Sequence, residues 1–491
     1  MSKYSLIILA FTLFNFIACK TKKEAEIEKV LTYHPEYHYT SAKNWVNDPN
    51  GMVYLDGEYH LFYQYNPFGE KWGHMSWGHA VSKDLKTWEE LPVAIPEIIN
   101  ADSSVTMVFS GSAVVDSMNT TGFFEKGFKS GMVAIYTSHI DKKGKGMGQS
   151  QSLAYSSDKG RTWKFYDKNP VLDIKLPDFR DPSVFWHEGK WKMIVAKPLE
   201  FIAQIYESPD LKNWKLLSEF GKIGDYAKIW ECPSLFRVPV ENSDKFKWVS
   251  MVSSAHEDVD YVGMQYFVGD FDGKIFTPDA QTGVLRIDHG KDFYAAVPFN
   301  SRPSSQKYPI IMAWQNNWTY SADLATETRR GMFSMPRMVS LIEKNGKYEM
   351  IQKPIFADDI DTQTLKLSKN ESGKTIEMKS NSYRLNLTID TKNSKGFSID
   401  LLKNGEEKTV VNYDISTQKL SFDRTKSGIV DFNKKFPSIE SMKVELENGI
   451  IKLDIFVDNS IVEIFANDGK AVLSDLVFPN SNKTEISFKF K

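Results

Sequence analysis

The sequence predicts an all-β protein in which a β-propeller is followed by a C-terminal β-sandwich, and three observations carry that prediction. Apolar and polar residues alternate over short runs bounded by Gly, Pro, Asn or Asp, with hardly any stretch at the period of an amphipathic helix. A polar turn closed by tryptophan recurs: Ser82-Lys83-Asp84-Leu85-Lys86-Thr87-Trp88 returns as Ser208-Pro209-Asp210-Leu211-Lys212-Asn213-Trp214, and in longer form as Ser156-Ser157-Asp158 followed by Arg161-Thr162-Trp163. From Asp358 onward tryptophan disappears and Lys, Ser, Asn and Thr accumulate.

In chain order, residues 1–19 read as an export signal: Lys3 precedes an apolar run from Tyr4 to Ala18 that is too short for a comfortable membrane span. Phe16-Ile17-Ala18-Cys19 resembles the lipobox of bacterial lipoproteins, which implies lipidation at Cys19; a plain cleaved signal is the rival. Residues 20–32 are charged and read as a tether. Strands then follow at Glu58–Tyr65, Met132–Tyr136 and Lys192–Ala196. The turn repeat, at spacings of roughly fifty to seventy residues, suggests blades that each bury a face against the next; scattered hairpins of a sandwich are the competing reading. A boundary between Ser340 and Phe356 gives a propeller over 33–345 and a sandwich over 350–491. In the latter, two-faced strands such as Tyr383–Ile389 and Ile451–Val457 alternate, and Asp458-Asn459-Ser460 separates the last from Ile461–Phe465.

The 491 residues are enough for two or three domains. With 61 basic against 63 acidic residues the net charge is −2, so nothing points to a nucleic-acid partner. Only Cys19 and Cys232 occur, so loss or lipidation of Cys19 leaves no intrachain disulfide. The 12 Trp, 21 Tyr and 32 Phe suit sugar-stacking surfaces and a β-rich core alike.

The stretch Asn44-Trp45-Val46-Asn47-Asp48-Pro49-Asn50-Gly51 organises the chemistry. Pro49 removes a backbone donor and favours an extended Asp48, while Asn50-Gly51 reads as a tight turn. Alone it would be a loop between strands, but two further stretches repeat the device: Phe179-Arg180-Asp181-Pro182 and Ile229-Trp230-Glu231-Cys232-Pro233. Inner strands of a propeller line its axis, so three acids from three blades can converge. Cleavage of a glycosidic bond needs one ionised and one protonated carboxyl. Trp230, Cys232 and Pro233 hydrate poorly and favour Glu231 as the acid, whereas Arg180 would keep Asp181 charged.

Together, Trp45–Gly51, Phe109-Ser110-Gly111-Ser112, Phe179–Pro182 and Glu231-Cys232-Pro233 closely resemble glycoside hydrolase family 32, the β-fructofuranosidases that include invertases, inulinases and levanases. Phe62–Pro67, Trp72–His79, Asp292–Ala296, Trp314–Trp318 and Arg330–Arg337 support the match, in order from about His38 to the C-terminus. The resemblance implies a five-bladed propeller with a sandwich, and a retaining double displacement. By position Asp48 corresponds to the nucleophile, Glu231 to the acid/base, and Asp181 to the residue that holds fructose hydroxyls and stabilises the transition state. Asn47, Gln64, Trp72, Phe109, Ser110, Arg180 and Trp314 correspond to the fructose subsite. Retention implies carboxyls of Asp48 and Glu231 about 5–5.5 Å apart. The family needs no metal or organic cofactor, and Val46 stands where many members carry methionine.

The resemblance also implies a fructan or fructo-oligosaccharide as partner. Sucrose, inulin and levan share the terminal fructofuranosyl unit, and the Trp72–Trp77 segment resembles that of exo-acting members, so release of fructose from chain ends is expected. Endo-acting levanase or inulinase, an inverting arabinose- or xylose-directed propeller glycosidase, and an inactive sugar-binding lipoprotein are the alternatives. His34 with His38, or His74 with His79, could suggest a metal, but no acid completes a ligand pattern. Gly144-Lys145-Gly146-Met147-Gly148 lacks a Walker pattern and reads as a mobile surface loop. The sequence specifies neither linkage nor oligomeric state.

Overall fold

Alternation of apolar and polar residues shapes nearly the whole molecule. The computed structural model describes residues 33–491 apart from 227–228, 257–260, 281–282, 327 and 357. The expected signal, Cys19 and the tether lie outside the described residues. Among the described residues, five sheets form between Asn44 and Pro354 and two more follow. The only helical elements described are the single 3-10 turns Pro198–Glu200 and Lys369–Glu371.

Each of the first five sheets is a blade. Their inner strands are Asn44–Leu55, Val105–Val115, Arg180–His187, Ile229–Pro239 and Tyr294–Pro298. These pack side by side in that order and the fifth returns to the first, which closes a five-bladed propeller. Arg329–Arg330, from the connection inside the fifth blade, pairs in parallel with Asn44 and Trp45 and ties the ring shut.

Successive blades are held by apolar layers, because every strand turns alternate side chains towards each neighbouring sheet. Val53, Phe62 and Trp77 of the first blade meet Val108, Ala134 and Tyr136 of the second. Val133 and Leu153 in turn meet Phe179, Met193 and Val195 of the third. Each fully buried Val, Leu, Phe or Met side chain among them contributes about 1.5–3 kcal/mol.

The tryptophan repeat is one turn used three times, between the third and fourth strands of a blade. Asp84 Oδ1 accepts the N–H groups of Lys86 and Thr87 at 2.8 Å, Asp210 Oδ1 those of Lys212 and Asn213 at 3.0 and 2.9 Å, and Asp158 Oδ1 that of Thr162 at 2.9 Å. In the fourth blade Asp272 closes the same kind of turn onto Lys274 and Ile275 without a tryptophan.

The propeller runs past the expected limit of 345. Lys347–Pro354 pairs with Arg337–Lys344 as the outer strand of the fifth blade, and the sandwich begins at Thr362–Leu367. Loss of tryptophan is a feature of composition, and an outer strand can share it. The glycine-rich segment also differs from the expected loop. Lys145–Ser156 is a long strand hairpinned onto Met132–Lys142, and Gly146 lets the His139 ring approach, since a Cβ there would lie 3.0 Å from its Cε1.

The two sandwich sheets bury Leu385, Leu387, Ile399, Val411, Ile455 and Ile464 between them. Propeller and sandwich meet through apolar contacts, Tyr320, Leu324 and Met332 on Phe436, Ile461 and Phe478 and Met335 on Phe456 and Phe465, and through buried charge. Buried Arg337 donates to Asp288 Oδ2 at 2.9 Å and to Ser474 Oγ at 2.7 Å, and lies over the Phe293 ring. Buried Arg424 donates to Asp292 Oδ2 at 2.6 Å and to the Tyr320 hydroxyl at 2.8 Å. Asp458 accepts the N–H groups of Glu36, Tyr37 and His38 and the His38 ring, so it straps the incoming chain to the sandwich.

Candidate active site

Every inner strand of the propeller is interrupted at the same level by a β-bulge. The pairing registers break between Val46 and Pro49, Phe109 and Gly111, Arg180 and Ser183, Glu231 and Ser234, and Tyr294 and Val297. A bulge bends the strand and re-aims side chains. Here the breaks bring Asp48, Ser110, Asp181 and Cys232 together from four successive blades, with Ala295 at the same level of the fifth.

Asp181, Cys232 and Ala295 take left-handed φ values of 65°, 48° and 55°. Each costs about 1–3 kcal/mol of backbone strain. The donors displaced from the ladder find partners: Asp181 N–H donates to Thr137 Oγ1 at 3.0 Å, Cys232 N–H to Asp181 Oδ2 at 2.9 Å, and Ala295 N–H to Ser253 Oγ at 3.0 Å. Pro49, Pro182 and Pro233 bring no N–H that could be stranded, which is the physical reason for the recurring acid-or-cysteine-then-proline pattern.

The first strand departs from expectation at Asn50-Gly51, which is a second bulge and not a turn. Asn50 Nδ2 donates to the Asp48 carbonyl at 3.1 Å, and its Oδ1 accepts Gly111 N–H at 3.2 Å from the next blade. A side chain does the stitching that a turn would have done with backbone.

Asp48 is buried and faces donors. Ser110 Oγ donates to its Oδ2 at 2.6 Å and Asn47 Nδ2 to its Oδ1 at 3.1 Å, while Trp45 Nε1 fixes Asn47 at 2.7 Å. Burial raises the Asp48 carboxyl above its ordinary range, the Ser110 bond opposes this, and the charge of Glu231 adds to it.

Glu231 is gripped from both sides. Arg180 Nη2 and Nε donate to its Oε1 at 2.9 and 3.1 Å, and the Tyr294 hydroxyl donates to its Oε2 at 2.6 Å. Arg180, Glu231 and Tyr294 hold the same position, just before the bulge, on three consecutive blades. The apolar setting expected for Glu231 is therefore absent. Trp230 is buried among core side chains beside it, and the carboxylate meets a guanidinium and a phenol.

Arg180 likewise does not do what its sequence neighbour suggested. Its side chain goes to Glu231 and to Asp178, at 2.8 Å, with no hydrogen bond to Asp181. Burial raises Asp181 to about 7, Arg180 pulls the other way, and the charges of Glu231 and Asp48 add to the rise. The Cys232 thiol, pushed up by burial, stays protonated; its Sγ lies 3.6 Å from Asp48 Oδ2 and 3.8 Å from Asp181 Oδ2.

The other anticipated residues divide. Gln64 is buried and donates to the Val108 carbonyl at 3.0 Å. Trp72 is 47 % exposed and meets the Phe109 ring edge-to-face at 5.9 Å, and Phe109 stacks on His139 at 4.4 Å. Trp314 is corrected: at 0 % exposure it has no solvent face, and it packs between Trp45 and Trp318 in the cluster that also holds Cys232 and Tyr294. It supports the site from behind. Sequence reasoning missed Tyr294, Thr137, Asp178 and Gln149, whose Oε1 accepts Phe179 N–H at 2.8 Å and Arg180 Nη1 at 3.3 Å. Of these only Tyr294 carried a signal, since Tyr294-Ala295-Ala296 sits where other blades have Arg180-Asp181-Pro182 and Glu231-Cys232-Pro233.

The histidines considered for metal binding are otherwise engaged. His38 pairs with Asp458, His74 with Glu97, and His79 with His60.

Residues 38–354 match the glycosyl hydrolases family 32 N-terminal domain and residues 354–491 the family 32 C-terminal domain. The chain belongs to glycoside hydrolase family 32. Among its family 32 relatives, a levanase of Bacillus subtilis is 44% identical over 91% of this chain and 67% of its own length. An extracellular exo-inulinase of Aspergillus ficuum is 38% identical over 92% of this chain and 90% of its own. Of solved family 32 structures, exo-inulinase from Aspergillus awamori superposes with a TM-score of 0.85 at 36% identity, covering 94% of this chain and 96% of that one. A fructofuranosidase from Schwanniomyces occidentalis, complexed with fructosylnystose, superposes at 0.84 with 32% identity, covering 95% and 96%.

Proposed function

We propose that this family 32 hydrolase cleaves terminal β-fructofuranosyl units from fructans by a retaining double displacement, with Asp48, Glu231 and Asp181 as its catalytic residues. The observation that carries the proposal is the meeting of the three acids on bulged inner strands, one surrounded by neutral donors and one held between a cation and a phenol.

In the first step the Asp48 carboxylate attacks the anomeric carbon while Glu231 gives a proton to the departing oxygen, and the carbon–oxygen bond to the leaving sugar breaks. In the second, Glu231 takes a proton from water, which attacks the same carbon and frees Asp48. Asp181 accepts hydrogen bonds from the fructose hydroxyls. Those donors favour its charged form and release its proton to the cluster. Asn47 and Ser110, which bond Asp48, are assigned to the fructose subsite together with Gln64 and the paired rings of Trp72 and Phe109. Exo action is supported by the likeness to exo-inulinases.

Levan, inulin and sucrose, incubated separately with the protein lacking residues 1–19, test this. Fructose alone from the first moment, with retained configuration by NMR, is expected; early oligosaccharides would overturn exo action, and silence on all three would overturn the reading. Asp48→Asn abolishes turnover and Glu231→Gln lowers kcat by about 10²–10⁴-fold, with the fold intact by circular dichroism.

The relatives named extracellular support export. Lipidation at Cys19 is part of the same proposal: Cys19→Ser moves the protein from the membrane fraction to the soluble one, and an unchanged distribution would refute it.

A further inference from the structure

Just before the inner strand Ile229–Pro239, which carries Glu231, a half-exposed tyrosine stands on backbone that is fixed beyond what a surface loop needs. Tyr226 is 50 % exposed. The residue before it, Asp225, is clamped by buried Gln265, whose Oε1 accepts Asp225 N–H at 2.8 Å and whose Nε2 donates to the Asp225 carbonyl at 2.6 Å. The same carbonyl accepts the Trp230 indole N–H at 2.6 Å. Thus the residue preceding Tyr226 is bound by the residue preceding Glu231. Gly224 makes the clamp possible: its φ is +67°, and a Cβ there would lie 2.3 Å from Gln265 Oε1. The Phe201 ring meets the Tyr226 ring edge-to-face at 6.0 Å. Phe201 comes directly after the turn Pro198–Glu200, which packs on the inner strand carrying Glu231 and leaves Leu199 exposed.

A precisely held, half-exposed aromatic ring is a surface for a flat apolar face, and a sugar ring offers one. We propose that Tyr226, backed by Phe201, is the platform for the sugar on the leaving side of the scissile bond. This rests on Glu231 being the acid, since the group that protonates the leaving oxygen must have the departing sugar beside it. Tyr226 is then a specificity-determining residue for the sugar unit to which the terminal fructose is attached.

The test compares Tyr226→Ala and Tyr226→Phe on an inulin-type trisaccharide. Tyr226→Ala lowers kcat/KM about three- to tenfold, mostly through KM, and Tyr226→Phe restores it. Competitive inhibition by free fructose, which reports the inner pocket alone, is unchanged, as is Tm. In a Glu231→Gln background, calorimetric titration of the trisaccharide gives a weaker Kd when Tyr226→Ala is added. This arm reads the platform without turnover, so an inactive parent would sink the hydrolase reading and leave the platform to be judged by binding. An unaltered KM and Kd in Tyr226→Ala, or a loss seen only in Trp72→Ala, would overturn the proposal.

Discussion

Asp181 shows how a single residue's chemistry is set by placement. Burial brings its carboxyl to about 7 from an ordinary 3.8, so the folded state prefers the protonated form. Stability from this group is intact below about 4 and is lost as pH rises towards 7. Asp181→Asn, whose amide oxygen can still accept Cys232 N–H, removes that loss. Its Tm exceeds the parent's at pH 8 and matches it at pH 4, while activity is lost at both; an equal Tm difference at the two pH values would refute the assignment. At this scale the sequence displayed the acids, because the three bulges beside them mark themselves with Pro49, Pro182 and Pro233. It could not display Arg180 reaching for Glu231, or Tyr294 completing the grip, because those contacts cross between blades. Nor could it show that Trp314 lies behind the cleft: a tryptophan beside Gln315, Asn316 and Asn317 looks wet, yet all three amides are themselves buried.

At the scale of elements, the inner strands show why the fold and the site are one construction. The bulges that aim the acids also require close packing within the blade, as at Gly51. Its φ is +51°, and a Cβ would lie 2.7 Å from Trp77 Cζ3 and 2.9 Å from Phe62 Cδ2. Gly51→Ala is expected to destabilise the protein by about 1–3 kcal/mol and to reduce kcat, read by urea unfolding and initial rates. The blade repeat was legible in three blades because its turn needs an aspartate to hold backbone N–H groups; the fourth blade, whose turn dispenses with tryptophan, and the fifth escaped notice. The fifth-blade outer strand was illegible for a related reason: alternation says strand but does not say which sheet.

Across the whole molecule, propeller and sandwich are joined by buried ions. Burial pushes His38 towards its neutral form, but its hydrogen bond to Asp458 and the Glu463 carboxylate 3.7 Å from its Nε2 outweigh this and raise it to about 9. A histidine raised above its ordinary 6.5 contributes stability that is complete below pH 6.5 and lost as pH rises through about 9, on the order of 3 kcal/mol. His38→Gln should flatten the fall in Tm between pH 6.5 and 9; a parent Tm constant across that window would contradict the pairing. Neither partner could be named from sequence, since His38 and Asp458 stand at opposite ends of the chain.

The short pairing of Arg329–Arg330 with Asn44 and Trp45 has a consequence for how the enzyme fails. Beside the apolar layer of Val46, Met52 and Leu61 on Phe299, Met312 and Phe333, the ring is fastened by two residues of strand, and the strand so fastened is the one that carries Asp48. Heat that loosens this fastening frees Asp48 while the other four blades remain layered on one another. Loss of activity therefore precedes loss of β-structure on warming.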